Sequence, residues 1–415
     1  MKLSLTTATH YKDPSMKKIA LAAAALASFA ATAAHAQSSV TIYGALDDSI
    51  AYFSHQKGSN GQSGGTWQLS PGNLSPNLWG LKGTEDLGSG LSAIFKIESG
   101  FNINTGSSGQ GDRLFGRQAY VGLDSNQGGT FTMGRQYDPL IDLIQPLTND
   151  GAFGPTFATP GDMDNYDNSY RTNNSVKYTS PNFAGLQIGA MYAFGGVPGS
   201  TGAGQTIAIA AAYNHGPFGL GAGYFRANNA GGNSTFDTFN SGAGVSSAQF
   251  DSQAITGGFR GANSQQIIRA AGDYVFGPVT FGIAYSNVEY ANYGFTNSTG
   301  ANVQGTSRFN TGQAFLNYQV TPAAILGVGY DYTKGYGNGV NAAYSQVSLG
   351  GDYFLSKRTD VYVLAGYQHA SGNTVAYNSN GLSTLTTATA SMGDFGNDAV
   401  GNNQTMAMVG IRHKF

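Results

Sequence analysis

Met406-Ala407-Met408-Val409-Gly410-Ile411-Arg412-His413-Lys414-Phe415 ends the chain with a period of two. Ala407, Val409, Ile411, His413 and Phe415 share one face, and Gly410, Arg412 and Lys414 the other, as in a strand with an apolar environment on one side. A soluble sheet rarely leaves such a strand, ending on an aromatic, at its terminus. A closed barrel in a membrane needs its last strand to zip to its first. Phe415 is therefore expected to serve barrel closure and recognition of the terminal strand by the barrel-assembly machinery.

The other end of the chain reads as an export signal. Lys17 and Lys18 precede an apolar run from Ile19 to Ala34, and Ala34-His35-Ala36 is an A-x-A cleavage site. The spacing predicts a signal over 16–36, a mature chain from Gln37, and translation starting at Met16, with 1–15 a mis-assigned upstream extension. Residues 37–415 then form a single transmembrane barrel.

Composition narrows the class. No mature stretch approaches the roughly 20 consecutive apolar residues of a spanning helix. Charged residues are 11% of the chain, against about 25% in an average soluble domain, while there are 61 glycines, 24 tyrosines and 24 phenylalanines. Sparse charge leaves room for a lipid-facing band, aromatics supply interfacial girdles, and glycine supplies turns. The net charge of −2 argues against a nucleic-acid partner. With no cysteine, sheet closure rather than disulfides must hold the fold.

Period-two segments recur sixteen times, near 39–53, 74–86, 90–103, 113–124, 130–137, 174–180, 185–194, 205–215, 217–227, 266–276, 278–289, 309–320, 323–334, 344–355, 358–369 and 404–415. Seven connections are tight, among them Leu87-Gly88-Ser89-Gly90, His215-Gly216-Pro217 and Gly277-Pro278. The stretches 138–173, 228–265, 290–308 and 370–403 are long and polar. Short turns on one side and long loops on the other predict an all-β, 16-stranded antiparallel outer-membrane barrel. Sixteen strands enclose a wide aqueous lumen, which something must narrow.

The long connection at about 138–173 is the candidate for an inward-folded constriction. Ile141, Leu143, Ile144, Leu147, Phe153 and Phe157 would anchor it to the inner wall, while Asp142, Asp150, Asp162, Asp164 and Asp167 would face the water. A mobile extracellular loop is the competing reading. Facing it, strand parity directs Lys177 inward, with Arg171 on the same parity; Lys82, Lys96 and Arg117 lie in other early strands. Arg135 shares the parity of Phe131 and Met133, which leaves it open between lumen and rim. Fixed charges of opposite sign across a narrow lumen would create a transverse field.

Trp79-Gly80-Leu81-Lys82-Gly83, Phe115-Gly116-Arg117-Gln118-Ala119-Tyr120, Met133-Gly134-Arg135-Gln136-Tyr137 and Gly410-Ile411-Arg412-His413-Lys414-Phe415 resemble the general diffusion porins of Gram-negative bacteria, particularly the beta-proteobacterial branch. The resemblance spans essentially the whole mature chain. It implies a homotrimer among outer-membrane lipids, passing ions and small hydrophilic solutes passively. By position, Arg117 and Arg171 match basic-wall arginines of that family and Arg135 an arginine just before the constriction loop. The chain departs from the family at Leu78, where an arginine is frequent, and at Ala152, where an acid is usual; Asp150 is the candidate replacement for that acid.

Other functions have less support. His55, His215, His369 and His413 do not converge on a catalytic site, no metal or cofactor motif occurs, and no enzyme is expected. A substrate-specific channel for a sugar or organic anion is the alternative, although Tyr192, Tyr318, Tyr330 and Tyr353 have lipid-facing parity. An adhesin with a plugged barrel is a third reading. Small outward residues such as Gly44, Ala365 and Ala407 would permit close packing between barrels.

Overall fold

The computed structural model describes residues 39–58, 62–230, 234–236, 255–377 and 382–415. The expected upstream extension and export signal lie outside the described residues, as does much of the connection 228–265. The described strands are β1 (Ser39–Lys57), β2 (Ser63–Pro71), β3 (Leu78–Gly88), β4 (Leu91–Gly100), β5 (Gln118–Ser125), β6 (Gly129–Gln136), β7 (Thr172–Thr179), β8 (Leu186–Ala193), β9 (Thr206–His215) and β10 (Phe218–Asn228). They continue as β11 (Ser264–Phe276), β12 (Val279–Thr296), β13 (Asn302–Thr321), β14 (Ala324–Tyr336), β15 (Ala343–Phe354), β16 (Thr359–Ser371), β17 (Asn373–Tyr377), β18 (Ser383–Thr387) and β19 (Asn403–Lys414).

Sixteen of these positions make the wall. β2 and β3 are two parts of one wall strand: β2 pairs with the distal part of β1, from Asp48↔Pro71 to Lys57↔Ser63, and β3 with its start, from Ser39↔Thr84 to Ala45↔Leu78. β17 and β18 form a hairpin in the last long loop. Each remaining strand pairs antiparallel with its neighbours, and β19 returns to β1 from Ala45↔Lys414 to Phe53↔Met406. The sheet is thereby closed, with β2 alone pairing on a single edge; the hydrocarbon demands such closure because it offers no hydrogen bonds of its own.

The seam runs to the last residue. Gly44 donates its N–H to the Phe415 carbonyl at 3.1 Å and accepts the Phe415 N–H at 3.0 Å. A Cβ on Gly44 would lie 2.4 Å from the Phe415 ring. The space at Gly44, expected to admit a neighbouring barrel, is thus filled by the chain's own terminal aromatic. Along β19, Ala407, Val409 and Ile411 are exposed on the outer face while Met406, Met408 and Arg412 are buried on the inner one, as the alternation predicts. Tyr318, Tyr330 and Tyr353 also lie exposed on the outside.

Three features differ from the sequence reading. The strand Ser63–Pro71 was not expected, because its Ser63-Gly64-Gly65 start carries no apolar alternation. The stretch 113–117 precedes β5 instead of belonging to it. The connection 290–308 is mostly a hairpin extension, for β12 and β13 stay paired to Thr296↔Asn302. A bulge between Tyr290 and Tyr293 shifts the phase there and hides the period.

Inward-facing glycines decide what fills the barrel. Gly189 on β8, Gly221 and Gly223 on β10, and Gly327, Gly329 and Gly350 on β14 and β15 lack side chains where the connection 137–171, L3, presses against the wall. An added Cβ would meet Pro139 at Gly189 (2.7 Å), Leu140 at Gly223 (2.6 Å), Phe157 at Gly329 (2.7 Å) and the Phe153 ring at Gly327 and Gly350 (2.3 and 2.4 Å). The apolar residues of L3 are therefore seated in sockets along β8–β15, with Leu140, Ile144 and Phe153 fully buried. The last long loop descends to meet L3: Gly161 donates its N–H to the Gly393 carbonyl at 3.1 Å, and Ser169 Oγ bonds Asp394.

Gly350→Val puts a branched side chain into the Phe153 socket, and overpacking of this kind costs about 1–3 kcal/mol. The expected result is a folded, heat-modifiable barrel whose L3 is cleaved faster by protease and whose open-channel current is noisier. An unchanged cleavage rate would show that Phe153 does not hold the loop.

Candidate pore constriction

L3 begins with a short helix, Pro139–Ile144, because its first turn is well prepared. Asp138 Oδ1 accepts the N–H groups of Leu140 and Ile141 at 2.8 and 3.3 Å, and Pro139 occupies the first position, where no N–H is needed. The helix turns Leu140 and Ile144 to the wall and leaves Asp142 exposed toward the lumen. Two further short turns, Asp150–Phe153 and Gly154–Phe157, carry the loop across the barrel, with Phe153 and Phe157 stacked at 5.2 Å.

The five loop acids separate into two kinds. Asp142 forms an ion pair with Lys177 Nζ at 2.6 Å. Asp162, Asp164 and Asp150 are buried. Asp162 accepts the N–H groups of Asp167 and Ser169 at 2.9 and 3.0 Å, so it shapes the loop's own backbone. Asp164 accepts the Thr159 hydroxyl at 2.8 Å and that of Ser286 on β12. Asp167 is half-buried beside them. Burial, then the neighbouring carboxylates Asp394 and Asp164, pushes Asp162 well above the usual carboxylate range; burial, then Asp162 and Asp164, does the same to Asp150. The loop thus offers the lumen far less negative charge than its composition implies.

The facing wall is cationic. Lys82 on β3 and Lys96 on β4 lie 5.4 and 5.6 Å from the Tyr43 ring, and Lys96 pairs with Glu98 at 3.2 Å. Arg117, just before β5, donates its Nε to Glu98 at 2.8 Å and an Nη to the Tyr137 hydroxyl at 2.5 Å. Arg171, at the end of L3, stacks over the same Tyr137 ring at 5.3 Å and donates to the Ser169 carbonyl at 2.7 Å. Burial, then the charge of Arg117, lowers Arg171 from its ordinary value, the mark of like charges held together. Lys177 also donates to the Tyr137 carbonyl at 2.9 Å.

Arg135 is turned by the backbone. Gly134 has φ +142°, where a Cβ would lie 2.2 Å from the Ala119 carbonyl, and the β6–β7 register shifts between Gly134 and Gln136. This bulge breaks the parity of Phe131 and Met133 and brings the Arg135 guanidinium to the Gly116 carbonyl at 2.8 Å and Asn173 at 2.6 Å. Lys82, Arg117, Arg135, Arg171 and Lys177 therefore lie in one sector, β3 to β7, in which Tyr137 joins Arg117, Arg171 and Lys177.

Three participants escaped the sequence reading. Glu98 shares the parity of Lys96 and could have been found from it. Tyr137 lies where strand and loop meet, and alternation ends there. Arg269, on the inner face of β11, is 1% exposed, stacks over Tyr166 at 4.4 Å and donates to the Asp164 carbonyl. It pins the loop from behind.

The model of the Gram-negative porin family matches residues 20–373. An outer membrane porin protein of Bordetella pertussis is 30% identical over 385 residues, covering 85% of this chain and 94% of the relative. Outer membrane porin protein 32 of Delftia acidovorans is 28% identical and covers 96% of this chain and 100% of the relative. Among solved structures, the anion-selective porin from Comamonas acidovorans superposes with a TM-score of 0.66 at 22% identity, over 91% of this chain and 100% of that one. The trimer form of OmpT of Vibrio cholerae does so with a TM-score of 0.59 at 16% identity, over 91% and 99%. Fold, family and relatives are those of channels, and the chain belongs to the Gram-negative porin family as an outer-membrane porin, a water-filled path for passive diffusion of ions and small hydrophilic solutes.

Proposed function

We propose that this porin prefers anions and that its selectivity is set between L3 and the cationic sector of β3–β7. One observation carries the reading: Lys82, Lys96, Arg117, Arg135, Arg171 and Lys177 gather there, and Glu98 and Asp142 beside them are already ion-paired. Asp150, Asp162 and Asp164 are buried in the loop's interior and do not balance the wall. At an effective permittivity of ~20 a unit charge 4 Å from an ion is worth about 4 kcal/mol. Screening at physiological salt acts over about 8 Å, so charges lining a narrow passage outweigh those at the rim. Arg117 and Arg171, both set against Tyr137, are 5% and 3% exposed and act on a passing anion through their charge from within the wall, while the exposed Lys82 meets it directly.

The assembly is a homotrimer in this reading. Asp48 points outward from β1, flanked along the strand by the half-buried Leu46 and the exposed Ile50, and there meets Asn104 at 3.3 Å. A carboxylate on a lipid face is unfavourable. The outer face of β1 is therefore assigned to a neighbouring barrel, with the seam ending at Phe415 as the element read by the assembly machinery.

In a planar bilayer under a salt gradient, the wild type is expected to show an anion-selective reversal potential and to close in three steps. A cation-selective potential would overturn the charge reading, and saturation of the current by a sugar would indicate a specific channel instead. Arg117→Ala with Arg171→Ala should lower the anion-to-cation permeability ratio several-fold. Glu98→Gln leaves Lys96 and Arg117 without their carboxylate and should raise that ratio; a fall would sink the assignment. Unheated electrophoresis and crosslinking of the native membrane protein should give a trimer, and a monomer in both would remove the role given to Asp48.

A further inference from the structure

On the side of L3 away from the cationic sector lies a cavity of about 10 Å³ between the loop and β13–β15, lined among others by Asn149, Asp150, Gln313, Asp331 and Ser348. Asp150, which opens the turn Asp150–Phe153, and Asp331, on the inner face of β14, are each 4% exposed. Neither carboxylate oxygen of Asp150 has a hydrogen-bond partner, and neither does Oδ1 of Asp331. Buried carboxylates left without donors are costly, so two sharing one cavity call for a counter-charge. No lysine, arginine or histidine lines the cavity. Arg269, the cation that acts on Asp150, donates one Nη to the Asp164 carbonyl and stacks over the Tyr166 ring, with its Nε and other Nη left without hydrogen-bond partners, and it does not line the cavity.

The neutral groups around it present further oxygens. Ser348 Oγ donates its proton to the Thr156 carbonyl at 2.6 Å, which leaves its lone pairs free to accept. Gln313 Nε2 donates to the Phe157 carbonyl at 3.4 Å, which leaves its Oε1 as an acceptor. Asn149 Oδ1 accepts the Asn317 amide at 2.7 Å, while its own Nδ2 is buried without a partner, so Asn149 supplies no free oxygen. All these ligands are hard. Among the described residues no three acidic or imidazole side chains converge as a metal centre, so the site has two carboxylates and depends on neutral oxygens for the rest.

We propose that this cavity binds one calcium ion, which bridges Asp150 of the constriction loop to Asp331 of the wall. Calcium accepts six to eight oxygens at about 2.3–2.6 Å in flexible geometry, whereas magnesium keeps several of its waters, and a cavity of about 10 Å³ has no room for them. The ion supplies the missing counter-charge and ties the middle of L3 to the barrel opposite the passage. This site is separate from the anion contacts and does not depend on the ion preference of the channel.

The test uses the full-length protein extracted in detergent, stripped with chelator and dialysed against calcium, with metal content read by mass spectrometry. About one calcium per chain is expected for the wild type, at an affinity at least about tenfold above that of Asp331→Asn and Asp150→Asn. Calcium should raise the heat-dissociation temperature of the wild type but of neither variant. Heat-modifiable migration on gels confirms that each is folded. Wild-type protein that is folded yet binds no calcium, or binds it as both variants do, overturns the proposal. An infrared band of a protonated carboxyl in calcium-treated wild type, lost in Asp150→Asn, would overturn it in favour of a shared proton.

Discussion

Every wall N–H and C=O in a lipid bilayer must find its partner inside the protein, and in this chain that demand falls on the seam between β1 and β19. The remaining strand pairs are sequential or nearly so, and a hairpin can form each of them locally. The seam joins segments more than three hundred residues apart, from Ala45↔Lys414 to Phe53↔Met406. With no disulfide to hold the ends, the pairing itself keeps the barrel shut. The Phe415 ring over Gly44 extends apolar contact to the last residue, where fraying would otherwise begin.

Once closed, a wall of this size leaves far more space than a selective channel can use, and the chain fills that space asymmetrically. Glycines on the inner faces of β8, β10, β14 and β15 bring the backbone close enough for L3 to lie flat on the wall. Aromatics from the loop and wall, Tyr166, Tyr170, Phe259, Tyr290 and Tyr344 among them, complete a core behind it. The passage is pushed toward β3–β7, which keep their long cationic side chains. Packing and electrostatics are one arrangement: the sector that receives the loop has glycine where the opposite sector has lysine and arginine.

The fold was largely legible because lipid imposes its alternation on every strand, and the run from Leu186 to Phe194 or from Ser345 to Leu355 needs no tertiary context to be read. The hairpin extension beyond Tyr290 was hidden because the bulge between Tyr290 and Tyr293 shifts the phase of its alternation. At the site, parity placed Lys177 correctly on the inner face but misled at Arg135, where one glycine bulge reverses direction. The loop aspartates show a deeper ambiguity. Aspartate is favoured both where charge meets water and where a side chain must cap backbone N–H groups, and Asp162 does the second. Arg269 left no trace, since one cation in an alternating strand says nothing about which loop will descend to meet it.

The contact between Gly161 and Gly393 joins two parts of the protein that face different worlds. The last long loop connects β16 to β19 at the same end of the barrel as the start of L3, the end open to the cell's surroundings. Through that backbone hydrogen bond and the Ser169–Asp394 contact it is fastened to the segment that defines the aperture. A ligand that grips the outside of this loop therefore also handles the inside of the channel, and variation at the surface is free only to the extent that residues 391–394 keep their place.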